Sequence, residues 1–191
     1  DPEATVRIPS PGRRRRNPFA PQASPETLQA DLGALGGLNP LVAAANPILG
    51  AVPQIRHALK HPDPRRLRDN LRQQIETFKV FAMSADIPGE TVDAAEYALC
   101  ALLDESAAST PWGAGWAEQG LLHEQCGEAG GGEGFFARLD RICEDPDGNA
   151  DLIEFFFICL ALGFEGRYRG AENGREELEQ LRGKLYAIVA R

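Results

Sequence analysis

Histidine is scarce in this chain: 191 residues hold three, His57, His61 and His123. No Gly-x-Ser-x-Gly turn is present, which removes the nucleophile elbow of an α/β-hydrolase, and His57 and His61 lie near a proline-rich turn with no obvious catalytic partner. The four cysteines, Cys100, Cys126, Cys143 and Cys159, form no Cys-x-x-Cys pair. That spacing removes zinc ribbons and thioredoxin-like redox motifs, and reduced thiols in a cytosolic setting are the expectation. No run of 18 apolar residues occurs. The longest, Phe155 to Leu162, is too short to cross a bilayer. No signal-peptide pattern is visible. Sustained apolar/polar alternation is missing, so no sheet is expected. Internal repeats are missing too.

What is present is an ordinary soluble composition, 43% apolar and 25% charged, with a net charge of −8. A chain of this length buries roughly 70% of its unfolded surface. The charge is uneven. Residues 1–85 carry twelve Lys/Arg against seven Asp/Glu, residues 86–154 carry two against sixteen, and residues 155–191 carry six against five. A middle third of one sign suits a basic protein partner or a cation. Overall acidity argues against nucleic acid, which needs clustered cations.

Residues 1–38 read as a disordered tail rich in Pro and Arg, with the run Arg13 to Arg16. Residues 39–191 read as helix upon helix. Asn39-Pro40 has the form of an N-cap followed by Pro at the first helical position. Pro47 and Pro53 divide or kink the apolar stretch Leu41 to Leu59. Asp63 is placed to cap a helix over Arg65 to Ala85, whose Leu67, Leu71, Ile75, Phe78, Phe81 and Ala82 share one face. A further helix spans Glu90 to Ala107 and carries Asp104 and Glu105 near its C-terminal end. Acids there oppose the helix dipole by up to roughly 1 kcal/mol, so stability of that helix alone does not ask for them. A short helix is expected over Trp116 to Gln125. A flexible glycine-rich connector (Gly127 to Gly134) should precede a helix over Phe135 to Glu144. The helix Ala150 to Leu162, apolar nearly all round, is expected to be the central buried one. The last helix runs from Glu176 to Ala190.

Several segments tempt a chemical reading. Asp145-Pro-Asp147-Gly-Asn149-Ala-Asp151 resembles a calcium loop, but its sixth and twelfth positions are Ala150 and Phe156 where Gly and Glu are needed. The Gly130 to Gly134 run lacks the strand, Lys and Ser/Thr of a phosphate cradle. His123 and Cys126 offer a metal two ligands at most, without a second pair. Asp104 and Glu105 lie about 100° apart on a helix and cannot flank one bond. The sequence therefore points away from an enzyme.

Taken together, Asn39-Pro40-Leu41, the run Ala95 to Glu105, Thr110-Pro111-Trp112-Gly113, Gly132 to Phe136 and Gly163 to Arg169 resemble the cytoplasmic domain of the DotU/IcmH family (TssL) of type VI secretion systems. The resemblance covers residues 39 to 190. One departure is Gly134, inserted between Glu133 and Phe135. The resemblance implies an all-α domain of two packed helical bundles, about seven to eight helices, at the cytoplasmic face of the bacterial inner membrane. It implies a C-terminal transmembrane helix beyond Arg191. It also implies a non-enzymatic role without cofactors, docking TssM- and TssJ-containing envelope complexes to a TssK-like baseplate protein, with weak homodimerisation. The residues expected to touch partners are Asp104, Glu105, Trp112, Glu165, Arg167 and Tyr168. Two readings stand for the acids and Trp112: a partner surface, or Trp112 in the core with the acids capping or pairing with Arg. Arg167 is expected to pair with Glu165 or with Asp104/Glu105. Asp104→Lys or Glu105→Lys is expected to leave the fold intact and to weaken partner binding. The alternative function is a small cation- or ligand-binding helical domain using the acidic middle third.

Overall fold

A computed structural model describes residues 39–60, 63–116, 119–128 and 131–190. The expected tail, residues 1–38, lies outside the described residues. Among the described residues all regular structure is helical. In chain order these are α1 (Pro40–Leu49), α2 (Val52–His57), α3 (Pro64–Ser84) and α4 (Gly89–Ala108). After a 3-10 turn at Gly113–Gly115 come α5 (Leu121–Cys126), α6 (Gly131–Ile142) and α7 (Ala150–Ala161). A second 3-10 turn, Gly166–Tyr168, leads to α8 (Gly174–Val189).

The starts of α1 and α3 follow from their capping residues. Asn39 Oδ1 accepts the Leu41 and Val42 backbone N–H groups at 2.9 and 3.3 Å. Its Nδ2 donates to the Asp151 carbonyl at 2.6 Å and to Glu154 at 3.0 Å, joining the start of α1 to α7. Asp63 accepts the Arg66 N–H at 3.0 Å. The apolar stretch after Asn39 divides between α1 and α2, with Pro47 inside the first and Pro53 in the opening turn of the second.

Helix α4 is the hub. It packs against α2, α3, α5, α6 and α7, and twelve of its residues are buried. Helices α1–α3 and α6–α8 share one continuous core with it, and α1 packs directly on α7. Helix α7, expected at the centre, is deeply buried as well, but α4 touches more of the molecule. A ring cluster of Phe135, Phe136, Phe156 and Phe164 ties α6 to α7, with Phe135 and Phe164 centroids 4.4 Å apart. Each such phenylalanine contributes roughly 1.5–3 kcal/mol by burial.

Two boundaries differ from the sequence expectation. The helix expected over Trp116 to Gln125 is shorter, because the chain around Trp116 makes a 3-10 turn first. Helix α6 begins at Gly131, inside the stretch expected to be a connector. Packing explains Gly134: a Cβ there would sit 1.9 Å from the Tyr97 hydroxyl. Glycine here lets α6 close onto α4, and that contact outweighs its poor helix propensity.

Candidate functional site

Asp104 and Glu105 leave α4 in different directions, and each fastens a different segment. The Asp104 carboxylate accepts three N–H groups: the Trp116 indole at 2.8 Å, the Leu121 amide at 2.8 Å and the Leu122 amide at 2.9 Å. The last two are the first amides of α5. An acid that opposes its own helix dipole thus satisfies the start of the next helix. Burial pushes the Asp104 carboxyl above the usual carboxylate range, Glu124 adds to that, and the three donors act against it.

Glu105 holds the turn that precedes α8. Its oxygens accept the amides of Glu165 at 2.9 Å and Gly166 at 2.8 Å. Arg56 and Arg169 each approach it at 3.4 Å. Arg56 reaches in from α2 and also donates to Ser106 Oγ at 3.1 Å and to the Gly163 carbonyl at 2.6 Å. Burial holds its guanidinium below the ordinary arginine range, Arg169 adds to that, and Glu105 opposes it. Gly166 has φ +50°, and a Cβ there would meet Phe136 and Phe164 at 2.9 Å. The turn therefore needs glycine to present its amide to Glu105.

The remaining expected contact residues lie around these two anchors. Trp112 is half-buried, donates its indole N–H to the Ala58 carbonyl at 2.8 Å, and meets Trp116 edge-on. Glu165 is partly exposed and accepts Arg169 Nε at 3.2 Å. Arg167 does not pair with Glu165, Asp104 or Glu105; Arg169 and Arg56 occupy that role. Arg167 is exposed instead, its guanidinium 4.7 Å from the Phe136 ring centre and 3.3 Å from the Tyr168 hydroxyl. Tyr168 packs edge-on against Phe136 at 4.9 Å. The structure thus gathers Glu105, Glu165, Arg167 and Tyr168 at one corner, and sets Asp104 and Trp112 at another. Since both carboxylates are committed internally, a lysine at position 104 or 105 reaches the fold as well as any surface role.

Arg56 and Trp116 are the residues the sequence reading missed. For Arg56 a signal existed: it is the one cation in the apolar stretch Leu41 to Leu59. A separate groove of about 780 Å³ runs between α3, α4 and α6, and Lys79, Glu96, Tyr97, Arg138 and Arg141 are among its lining residues. Lys79 bridges Glu96 at 3.1 Å. Arg138 lies 3.5 Å over the Tyr97 ring, and Tyr97 donates to Glu128 at 2.7 Å. Both cations of the acidic middle third, Arg138 and Arg141, line this groove, so it is mixed in charge. The Asp145 to Asp151 segment is a turn in which Asp145 accepts the Gly148 amide and Asn149 donates to the Ile142 and Asp145 carbonyls. Among the described residues no group of three or more His, Cys, Asp or Glu is placed to hold a metal ion. Nor is any of their helices long and apolar enough to cross a membrane.

The family described as "Type VI secretion system protein DotU" matches residues 40–191. The fold is similar to that of TssL from Vibrio cholerae, with a TM-score of 0.72 and 31% identity over 78% of this chain and 95% of that one. It is similar to the cytoplasmic domain of TssL from Acinetobacter baumannii, with a TM-score of 0.73 and 24% identity over 78% and 96%. The type VI protein SciP/TssL of enteroaggregative Escherichia coli 042 gives a TM-score of 0.67 and 24% identity over 81% and 88%. No match to the chain was found among curated proteins. With the family match spanning every helix among the described residues, the chain belongs to the DotU family of type VI secretion system proteins.

Proposed function

We propose that this domain is a non-enzymatic adaptor. It docks a membrane complex of TssM-like and TssJ-like proteins to a TssK-like baseplate protein at the cytoplasmic face of the inner membrane. The observation that carries the reading is the DotU match over residues 40–191. The site geometry supports it: the two prominent carboxylates are used to fasten loops rather than left open in a cleft. Such anchoring presents a rigid surface, and rigidity lowers the cost of ordering on association.

The contact surface proposed is the corner of Glu165, Arg167 and Tyr168, with Trp112 at a second contact point. Arg167 and Tyr168 form a cation–aromatic pair over Phe136, the residue types that dominate protein interfaces. Asp104 and Glu105 serve this surface by positioning the segments that bear it. The test is a pull-down of TssM-like and TssK-like cytoplasmic regions by the wild-type chain and by Arg167→Glu and Tyr168→Ala. Both variants should keep the wild-type circular dichroism and lose at least one partner. Unchanged capture of both partners by both variants overturns the assignment. Sedimentation at increasing concentration reads the weak homodimer.

A further inference from the structure

The groove between α3, α4 and α6 is mixed in charge as a whole, but its charges are not spread evenly. In one part they cancel: Lys79 bridges Glu96, and Arg138 bridges Glu128. In another, α4 begins, α6 ends and α7 begins, and Glu90, Asp93, Arg141, Ile142, Asn149 and Leu152 line it. Glu90 and Asp93 are exposed there, and the passage from α6 to α7 adds exposed Glu144, Asp145, Asp147 and Asp151. One cation, Arg141, stands among these six carboxylates. Among the described residues no ion pair joins any of the six to a cation. Tyr97, Ile142 and Leu152 give the same groove an apolar lining.

The described chain starts beside this acidic part. Asn39 donates to the carbonyl of Asp151, the neighbour of groove-lining Leu152. The 38 residues that precede Asn39 are therefore tethered there. Residues 4–25 hold five arginines, four of them in the run Arg13 to Arg16, and no acid; Phe19 is the one aromatic residue before Asn39. We propose that the segment Arg13 to Phe19 of this same chain occupies the groove. Its arginines meet Glu90, Asp93 and the carboxylates between α6 and α7, and Phe19 meets the apolar lining. Guanidinium groups suit this role, since each can donate two N–H groups to one carboxylate. The chain between Phe19 and Asn39 reaches far enough: at about 3.4 Å per residue it spans up to roughly 60 Å, against about 30 Å for α4. Exposed ion pairs are individually weak, worth up to about 1 kcal/mol. Tethering makes them sufficient, because it supplies an effective concentration that a free peptide lacks. The groove is thereby closed to other basic proteins until the segment is displaced. This docking is independent of the corner at Glu165, Arg167 and Tyr168.

Amide NMR spectra of the whole isotope-labelled chain are compared with those of a variant combining Arg13→Ser, Arg14→Ser, Arg15→Ser and Arg16→Ser. The resonances of Glu90 to Tyr97, Arg141 and Asn149 to Leu152 should shift, and those of α8 should not. The difference should vanish in salt of about 1 M, where screening acts within about 3 Å. The reciprocal variant combines Glu90→Gln with Asp93→Asn, both at exposed sites. It should keep the wild-type circular dichroism and move the resonances of residues 13–19 toward their positions in high salt. Identical groove resonances in wild type and the arginine variant overturn the proposal. So do differences gathered along α8 or at the Glu165 to Tyr168 corner. Differences that grow with protein concentration assign the groove to the segment of a second copy and overturn it as well.

Discussion

Asp104 and Glu105 are neighbours in sequence and opposites in chemistry. Asp104 works among neutral donors, an indole and two amides, and among the described residues no cation is bonded to it. Glu105 works between two arginines and also takes two amides. A carboxylate served only by dipoles suffers from burial, so its charged form is disfavoured. One enclosed by guanidinium groups depends on both charges, and removing it strands a half-buried arginine. One pair of adjacent acids thus shows two ways to attach a loop to a helix, one by capping and one by ion pairing.

The largest expected effect tests the ionic anchor. Glu105→Ala leaves Arg56 unpaired and the turn at Glu165 and Gly166 unheld, and should cost about 3–5 kcal/mol, read as a lowered urea midpoint. Asp104→Ala strands three donors but no charge and should cost about 2–3 kcal/mol. A ranking in which Asp104→Ala costs clearly more than Glu105→Ala would break the distinction.

A pH titration sharpens it. The Asp104 carboxyl has a folded pKa above its unfolded value, so the folded state binds the proton more tightly. Its contribution is greatest below the unfolded carboxylate range and declines as pH rises through the raised folded value. Asp104→Asn removes that decline: the stability of wild type minus variant should fall with rising pH over this window. A difference that rises with pH contradicts the burial argument. The smallest effect concerns Arg169, whose side chain is 42% exposed. Arg169→Ala should cost no more than about 1 kcal/mol, and its effect should shrink in salt on the order of 1 M, where screening acts within about 3 Å. The Asp104→Ala cost should be insensitive to the same salt.

The sequence reveals elements wherever local pattern and packing agree. All six apolar positions named for α3 are buried, because an amphipathic helix announces its inner face by spacing alone. Asn39 and Asp63 cap as their residue types suggest. The start of α6 was hidden because Gly131, Gly132 and Gly134 oppose helix by propensity. Only the approach of Tyr97 to Gly134 accounts for the last of them. Asp104 and Glu105 were legible as anomalies, since acids at a helix C-terminus go against the dipole, but their partners are distant in sequence. Arg56 lies 49 residues from Glu105, and Glu165 lies 60 residues beyond it. No local pattern encodes a pairing across such a separation, which is why Arg167 was expected where Arg169 stands.

Asn39 carries a mechanical consequence. One amide side chain caps α1 with its oxygen and grips α7 with its nitrogen. Tension applied at this residue is shared between two helices, so it does not peel α1 away one turn at a time. Yielding then requires several bonds to rupture together, and a traction that enters at residue 39 is passed directly into the phenylalanine-rich interior.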